Sequence, residues 1–361
     1  MHTKRKQSPT TASKSKQKGV AIITALLIVT IAATISITIS TRLQLDVRRT
    51  SNMIAQDQAL FYLLAAEEWS QRILREDRLD NNSDSLDEEW ATEIPPLPVG
   101  GGSIQGKLID LHSCININSL VIDDAFNTST RTRLIQLFRN LGINEDLTPE
   151  IKDWIDSDLE NTSPGAEDGY YLNLEKPYRT ANTSLQSISE LRLIKGFEDS
   201  EIFNALKPHV CAYPAGDIPL ATNNNTASAD AATDKDSDTD PETEENVTNS
   251  SDQGVAGGIS INVNTASAEV LKSLSAQMTD NLAQDIISCR ENEAFRNITD
   301  FTSCAKLDTI IKDKSGLTTS SKFFLLETRA LIGQANRVMY SIIYRDTSGK
   351  TQIISRSQRT L

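Results

Sequence analysis

Apolar positions along this chain change their rhythm three times. From Gly19 to Thr41 the run GVAIITALLIVTIAATISITIST carries no charged residue. At about 1.5 Å rise per residue, roughly 20 such residues cross the hydrocarbon core of a bilayer. Beyond it, Leu43, Val47, Ile54, Leu60, Leu63, Leu64, Ile73 and Leu74 recur at helical spacings, with Arg42, Arg48, Arg49, Glu67, Glu68 and Arg72 between them. No Pro or Gly interrupts the stretch from Val20 to Asp77. The pattern predicts one helix of nearly sixty residues, about 85 Å long, without the sustained heptads of a coiled coil.

Alternation then takes over. Ile104, Leu108 and Leu111 in GGSIQGKLIDLHSCININ predict strand, as do FFLLETRALIG, RVMYSIIYRD and TQIISRSQ around the turn Thr347-Ser348-Gly349-Lys350. Between these blocks the periodicity is helical again, in TRTRLIQLFRNLG, LTPEIKDWIDSD, SISELRLIKGF, SAEVLKSL, TDNLAQDIISCR and ITDFTSCAKL. The class is α+β: a long N-terminal helix and an antiparallel sheet, carrying a large all-helical insertion. The expected divisions are 1–19, a basic leader; 20–76, the long helix, transmembrane over 20–41; 77–113 with 322–361, the α+β body; 114–213 and 259–321, two helical units; and 214–258, an acidic linker. Residues 77–100, DRLDNNSDSLDEEWATEIPPLPVG, read as a proline-bearing loop. Cys114-Ile-Asn116-Ile-Asn118-Ser119-Leu120 parallels Ser260-Ile-Asn262-Val-Asn264-Thr265-Ala266. Such N-x-N-[ST] lead-ins suit helix starts, so the two units read as helix-hairpin-helix-like repeats.

Charge sets the topology. Lys4, Arg5, Lys6, Lys14, Lys16 and Lys18 precede the apolar run without an acid, which keeps that end cytoplasmic and places the rest across the membrane. The net charge of −13 would become −19 without those six cations. A surface so acidic argues against nucleic acid as a partner. Residues 214–258 have few apolar positions and many acids and amides, as a solvated spacer does. Cys114, Cys211, Cys289 and Cys304 all fall on the exported side, where disulfides form. Four cysteines allow three pairings; proximity suggests Cys289–Cys304, which leaves Cys114–Cys211 around the first unit. Free buried thiols are the alternative, and zinc is disfavoured because no C-x-x-C occurs.

The apolar run is longer than a secretory signal core and lacks a small-x-small cleavage site. An uncut signal anchor is the plain reading. The border Lys18-Gly19-Val20, however, is similar to the leader of type IV pilins and pseudopilins. That resemblance implies cleavage after Gly19 by a prepilin peptidase and a methylated Val20. Most pilin-like chains carry Glu at the fifth mature position, but here it is Thr24. A lone amine in an apolar filament core is costly, and that glutamate neutralises the neighbour's. A subunit without it suits the filament tip.

Hard oxygen donors are densest in DWIDSDLENTSPGAEDGYY, where Asp156, Asp158, Glu167 and Asp168 flank a Pro-Gly turn. Such a loop suits calcium, which takes six to eight oxygens in flexible geometry. EF-hand spacing is absent, and an ordinary acidic surface loop is the competing reading. Paired carboxylates of a glycosidase would need sugar-binding aromatics that do not accompany them. His112 and His209 sit in no nucleophile motif, and the triple glycine 100–102 lacks a phosphate-loop Lys. Nothing in the pattern asks for an enzyme.

Together, the Lys-Gly-Val border, Thr24, DWIDSD…GAEDGYY, YRTANTSLQSISELRLIKG and the two N-x-N lead-ins resemble the minor pseudopilin K family of type II secretion systems. The resemblance implies a pilin-like fold in the inner membrane with a periplasmic body. It implies calcium held by Asp156, Asp158, Glu167 and Asp168, with Asn182 as a weaker candidate. It also implies a place at the pseudopilus tip with minor pseudopilins I, J and H, above the major pseudopilin G. The competing function is a membrane-anchored DNA receptor of the competence type, suggested by the helix-hairpin-helix-like units and Leu193-Ile194-Lys195-Gly196.

Overall fold

The computed structural model describes residues 18–215 and 260–358. The basic leader up to residue 17, and all but the first two residues of the expected 214–258 linker, lie outside them. The chain opens with α1 (Lys18–Asp80), followed by β1 (Ile94–Val99) and β2 (Gly102–Asp110). The insertion begins with β3 (Ile115–Asn116), β4 (Val121–Ile122), β5 (Ala125–Phe126), α2 (Thr128–Leu141) and α3 (Thr148–Ile155). It continues through α4 (Asp168–Tyr171), α5 (Ser200–Leu206) and β6 (Val210–Cys211). Its second unit holds β7 (Ile261–Asn262), α6 (Ala268–Lys272), α7 (Asp280–Asn292), α8 (Ile298–Ser303) and β8 (Leu317–Thr318). The chain then returns to the body as β9 (Phe323–Ile332), β10 (Ala335–Arg345) and β11 (Thr351–Ser357).

These last strands join β1 and β2 in one antiparallel sheet of order β1-β2-β9-β10-β11. Residues 94–99, read as loop from the sequence, are therefore an edge strand. Pro95, Pro96 and Pro98 disguised it, yet an edge is where a strand tolerates residues without a backbone donor. Residues 77–80, assigned to the same loop, are the last turn of α1.

The second half of α1 lies on the sheet through Ala59, Leu63, Ser70 and Leu74, one stripe at spacings of four and seven. Ala59 and Leu63 meet Ala330, Ile332 and Met339, while Leu74 meets Trp90, Leu108, Phe324, Leu326 and Ile343. Glu67, buried on the same stripe, accepts from Arg356 at 2.6 Å and from Ser341 at 2.7 Å. The first half, Val20 to Ile54, is exposed along its length among the described residues, apolar side chains included. It is long and apolar enough to cross a membrane. Its hydroxyls are satisfied within the helix: Thr24 donates to the carbonyls of Val20 and Ala21 at 3.1 and 3.0 Å, and Thr34 and Thr38 bond back likewise. Gly19 and Val20 stand in the first turn of α1.

The insertion leaves the sheet after Asp110 and returns at Phe323, next to Phe324, the residue paired with Asp110. Both crossings are at the end of the sheet where Arg345 bonds the Leu74 carbonyl of α1 at 2.9 Å. The insertion is thus mounted at the end of α1 farthest from the apolar run. It has a core of its own, in which Leu134, Leu137, Phe138, Trp154, Tyr171, Leu191, Phe197, Val270, Ile286 and Phe301 are buried. Cys114 is bonded to Cys211 and Cys289 to Cys304.

The two N-x-N lead-ins share one local design. Asn116 accepts from the Asn118 amide at 3.2 Å, and Asn262 from the Asn264 amide at 3.0 Å. The second asparagine of each exchanges two bonds with a distant backbone, Asn118 with Leu185 and Asn264 with Phe295. Each lead-in also forms a short parallel strand pair, β3 with β6 and β7 with β8. The lead-ins close a tight turn rather than opening the long helices as the sequence suggested. The Asx side chain bonds the amide two residues on, and the helices find separate caps in Asn127, Ser267 and Thr279. SISELRLIKGF, expected as a helix, is a 3-10 stretch from Ile188 to Leu193 behind the capping box of Ser187 and Glu190.

Candidate metal centre

The acidic loop grows out of α3. Its helix starts with Pro149 in the first turn, anchors itself through Ile151 and Trp154, and stops at Asp156, whose backbone is extended. The Trp154 ring meets Tyr171 edge-on at 5.3 Å, pinning the end of α3 against α4. The chain then runs out through Asp158 and turns at 163–165 to bring Glu167 back. Asp153, fully buried, holds this return by accepting from the Thr162 amide at 3.0 Å. Gly165 passes so near the Asp153 carboxylate that a Cβ there would collide with it, so the turn needs a residue without one.

This path brings Asp156, Asp158 and Glu167 together, each offering an oxygen within 4.8 Å of the others. Asp156 and Glu167 are buried at 1% and 6% exposure, while Asp158 lies open to solvent. Asp156 Oδ1, both Glu167 oxygens and the Asn182 Oδ1 are buried without a hydrogen-bond partner among the described residues. Asn182 is fixed by its own amides, which donate to the Trp154 and Asp158 carbonyls at 3.1 and 3.0 Å, and it adopts a φ of 45° that asparagine tolerates. Asp168 is placed differently. It accepts from the Thr180 amide and hydroxyl at 3.1 and 3.0 Å and lies 3.5 Å from Arg179, so it braces the loop from behind.

Three neighbours that the sequence left unassigned complete the site. Lys152 bonds Asp156 across one helical turn, Asp124 takes the Ser157 amide and hydroxyl at 2.8 Å each, and Asp153 holds the turn. The i, i+4 spacing of Lys152 and Asp156 was the readable signal; nothing local announced Asp124.

Electrostatics expose the imbalance. Burial, then the charges of Asp153 and Asp156, push the Glu167 carboxyl up to about 7; the nearby Thr180 hydroxyl offsets this weakly because its bond goes to Asp168. Burial raises Asp156 and Asp153 as well. Burial works against the Lys152 ammonium, but the bond and charge of Asp156 outweigh it and hold its pKa above the usual value. Several buried carboxylates against one ammonium is a costly arrangement. Open oxygen lone pairs aimed into such a site fit a hard divalent cation better than a soft one.

The chain matches the family model "Type II secretion system (T2SS), protein K" over residues 113–215 and again over 261–320. Type II secretion system protein K of Aeromonas hydrophila is 35% identical over 232 residues, which are 60% of this chain and 69% of that one. The chain belongs to the type II secretion system protein K family, the minor pseudopilins. The protein K of Pseudomonas aeruginosa extends the likeness to 94% of this chain and 92% of its own, at 28% identity. Among solved structures, a chain of the GspK–GspI–GspJ complex from enterotoxigenic Escherichia coli shares the fold, with a TM-score of 0.67 at 22% identity, covering 87% of this chain and all of that one. Membership in this family disfavours the DNA-receptor alternative. So does the hairpin at Lys195-Gly196, where Lys195 is bound to Glu150 at 2.8 Å and to the Pro164 carbonyl at 3.1 Å rather than free for a phosphate.

Proposed function

We propose that this minor pseudopilin occupies the tip of the pseudopilus, where it starts assembly together with minor pseudopilins I and J, and with H, above the major pseudopilin G. The observation that carries this reading is the mounting of the insertion at the end of α1 farthest from its exposed apolar half. A bulky unit in that position obstructs another subunit from stacking above, while the apolar half is free to pack beside sister helices. The work is mechanical rather than catalytic. The shared turn geometry at Asn116–Asn118 and Asn262–Asn264 supports two related helical repeats within the insertion.

The chain starts in the inner membrane with its basic end cytoplasmic, is cut by the prepilin peptidase between Gly19 and Val20, and keeps its body in the periplasm. Mass spectrometry of the mature N-terminus checks this step; a retained Met1 excludes it. Calcium is the cation assigned to the acidic loop. Asp156, Asp158, Glu167 and Asn182 would hold it, Asp168 supporting from behind, and its charge would rigidify the loop. The unpartnered buried oxygens support this assignment. Co-expression with I and J tests the tip reading directly: a stable ternary complex is expected, and a chain that binds neither overturns it.

A further inference from the structure

Among the described residues two triads of carboxylates converge, each offering oxygens within 4.8 Å of one another: Asp77, Asp84 and Glu88 at the end of α1, and Asp156, Asp158 and Glu167 in the loop after α3. Each triad meets a cation of the protein's own, but the two cations are used differently. Arg345 binds Asp77 at 2.8 Å and Asp84 as well, and Trp90 donates to Glu88 at 2.6 Å, so the first triad is spent. In the second, Lys152 bonds one oxygen of one acid, Asp156 Oδ2. Asp156 Oδ1 and both Glu167 oxygens stay buried and open among the described residues. The ammonium is held in place from two sides. Helix α3 carries it one turn before Asp156, and the side chain, 11% exposed, lies with Nζ 6.0 Å from the centre of the Phe126 ring of β5. The same hairpin grips the loop through Asp124, which accepts from the Ser157 amide and hydroxyl.

Taking calcium as the ion of this loop, we propose that Lys152 sets its affinity and its preference for ion charge. The lysine is a tuning residue rather than a ligand. Because its bond goes to Oδ2 while Oδ1 is open, an ion can ligate Asp156 through Oδ1 with the ammonium still in place on the other oxygen. The two positive charges then repel across a single carboxyl group, with little water between them to screen the repulsion. That repulsion grows in proportion to the charge of the entering ion, so Lys152 opposes a trivalent ion more strongly than a divalent one. In the calcium-free chain the same ammonium is favourable. It offsets the charge of Asp156 and, over longer distances, those of Asp158 and Asp153, which are otherwise crowded together in a poorly solvated place. Lys152 therefore holds the loop together without calcium and limits how tightly calcium binds.

Titration of the full chain in detergent micelles tests this, with calcium followed by calorimetry and terbium, a trivalent probe, followed by its luminescence. Trp154, whose carbonyl accepts from the Asn182 amide, serves as the sensitiser for terbium. Lys152→Met removes the charge and keeps an apolar stem beside Phe126. It should tighten calcium binding roughly tenfold and terbium binding roughly thirtyfold, the exponents standing in the ratio of the ion charges. Lys152→Arg keeps the charge and should leave both affinities close to those of the unaltered chain. The melting temperature of calcium-free Lys152→Met should fall, a loss opposite in sign to the gain in affinity, which lost packing alone would not produce. Calcium binding that is unchanged or weaker in Lys152→Met overturns the proposal while leaving calcium as the ion of the loop. An equal gain for both ions overturns it too, as does a calcium-free variant that melts higher. If the unaltered chain binds neither ion, the assignment of calcium falls and the role of Lys152 falls with it. Should Lys152→Met fail to fold, Lys152→Gln takes its place with the same expected directions.

Discussion

Two clusters of buried acids, one at the seam where the insertion meets α1 and the sheet and the other in the loop after α3, are finished differently. At the seam each carboxylate meets donors: Asp84 has Arg345 and the Ser321 amide, and Asp110 has four partners; farther along α1, Glu67 has Arg356 and Ser341. In the loop after α3, Asp156 and Glu167 are as deeply buried but keep oxygens that no group among the described residues hydrogen-bonds. The count of acids does not separate the two. What separates them is whether the lone pairs are spent, because a buried group without a partner bears its full desolvation cost. Spent lone pairs hold elements together; unspent ones are left open to a ligand.

The sharpest way to break this contrast is at Arg345, which is 1% exposed and stacked on Phe324 at 4.8 Å. Arg345→Met leaves Asp77 and Asp84 buried without their counter-charge. It should destabilise the body by about 3–5 kcal/mol in denaturant unfolding. A loss well under 1 kcal/mol would mean that the seam is not held by charge pairing.

The loop should respond to ions instead. Chelation of calcium should lower the melting temperature by an amount corresponding to about 2–3 kcal/mol if calcium had been near a hundred times its dissociation constant. Asp156→Ala with Asp158→Ala should abolish that sensitivity while leaving the seam intact. Because Glu167 must lose its proton to bind a cation, calcium affinity should strengthen as pH rises through about 7, which calorimetry at several pH values reads directly. Melting that ignores both chelator and calcium would return the loop to the status of acidic surface.

A smaller effect with the opposite sign sharpens the same point. Without calcium, ionised Glu167 is a liability, since its raised pKa means that stability is highest below its ordinary value and is lost as pH rises through about 7. Glu167→Gln should therefore stabilise the calcium-free chain at about pH 8 by on the order of 1 kcal/mol. Glu67→Gln, on the sheet-facing stripe of α1, should destabilise it under the same conditions. If both changes act alike, burial alone governs the two clusters.

These differences were only partly visible in the residue pattern. The run from Gly19 to Thr41 and the series Leu60, Leu63, Leu64, Ile73 and Leu74 announce α1 because periodicity and charge agree over many turns; Ala59, buried against the sheet, was not in that series. Strands β9 to β11 announce themselves by β-branched alternation. Strand β1 was hidden because Pro95, Pro96 and Pro98 read as loop, and only its neighbour β2 makes it a strand. The acids of the loop were legible as a group, yet Asp124 closes on Ser157 from more than thirty positions away. The division of labour between Asp168 and Glu167 depends on Thr180 and Arg179, which no local spacing connects to them. Arg345 looked like the end of a strand; its partners lie in α1 and in the loop beyond it.

The smallest expected effect concerns Thr24. Its hydroxyl turns back onto its own helix, at 3.1 and 3.0 Å from the Val20 and Ala21 carbonyls, and offers nothing to a neighbour. The resemblance to pilin-like chains implies that a glutamate at this place would neutralise the amine of the adjoining subunit, since an unpaired charge in an apolar core is costly. A subunit at the tip has no later neighbour above it, so the missing carboxylate costs the assembly nothing. Thr24→Glu should therefore leave secretion and the yield of the complex with I and J unchanged, apart from the modest insertion cost of one more ionisable group in an apolar segment. A marked gain in secretion would place this subunit inside the filament, where an amine above it had lacked a partner. The body would keep its seam and its loop, but the insertion could no longer be read as the part that ends the stack.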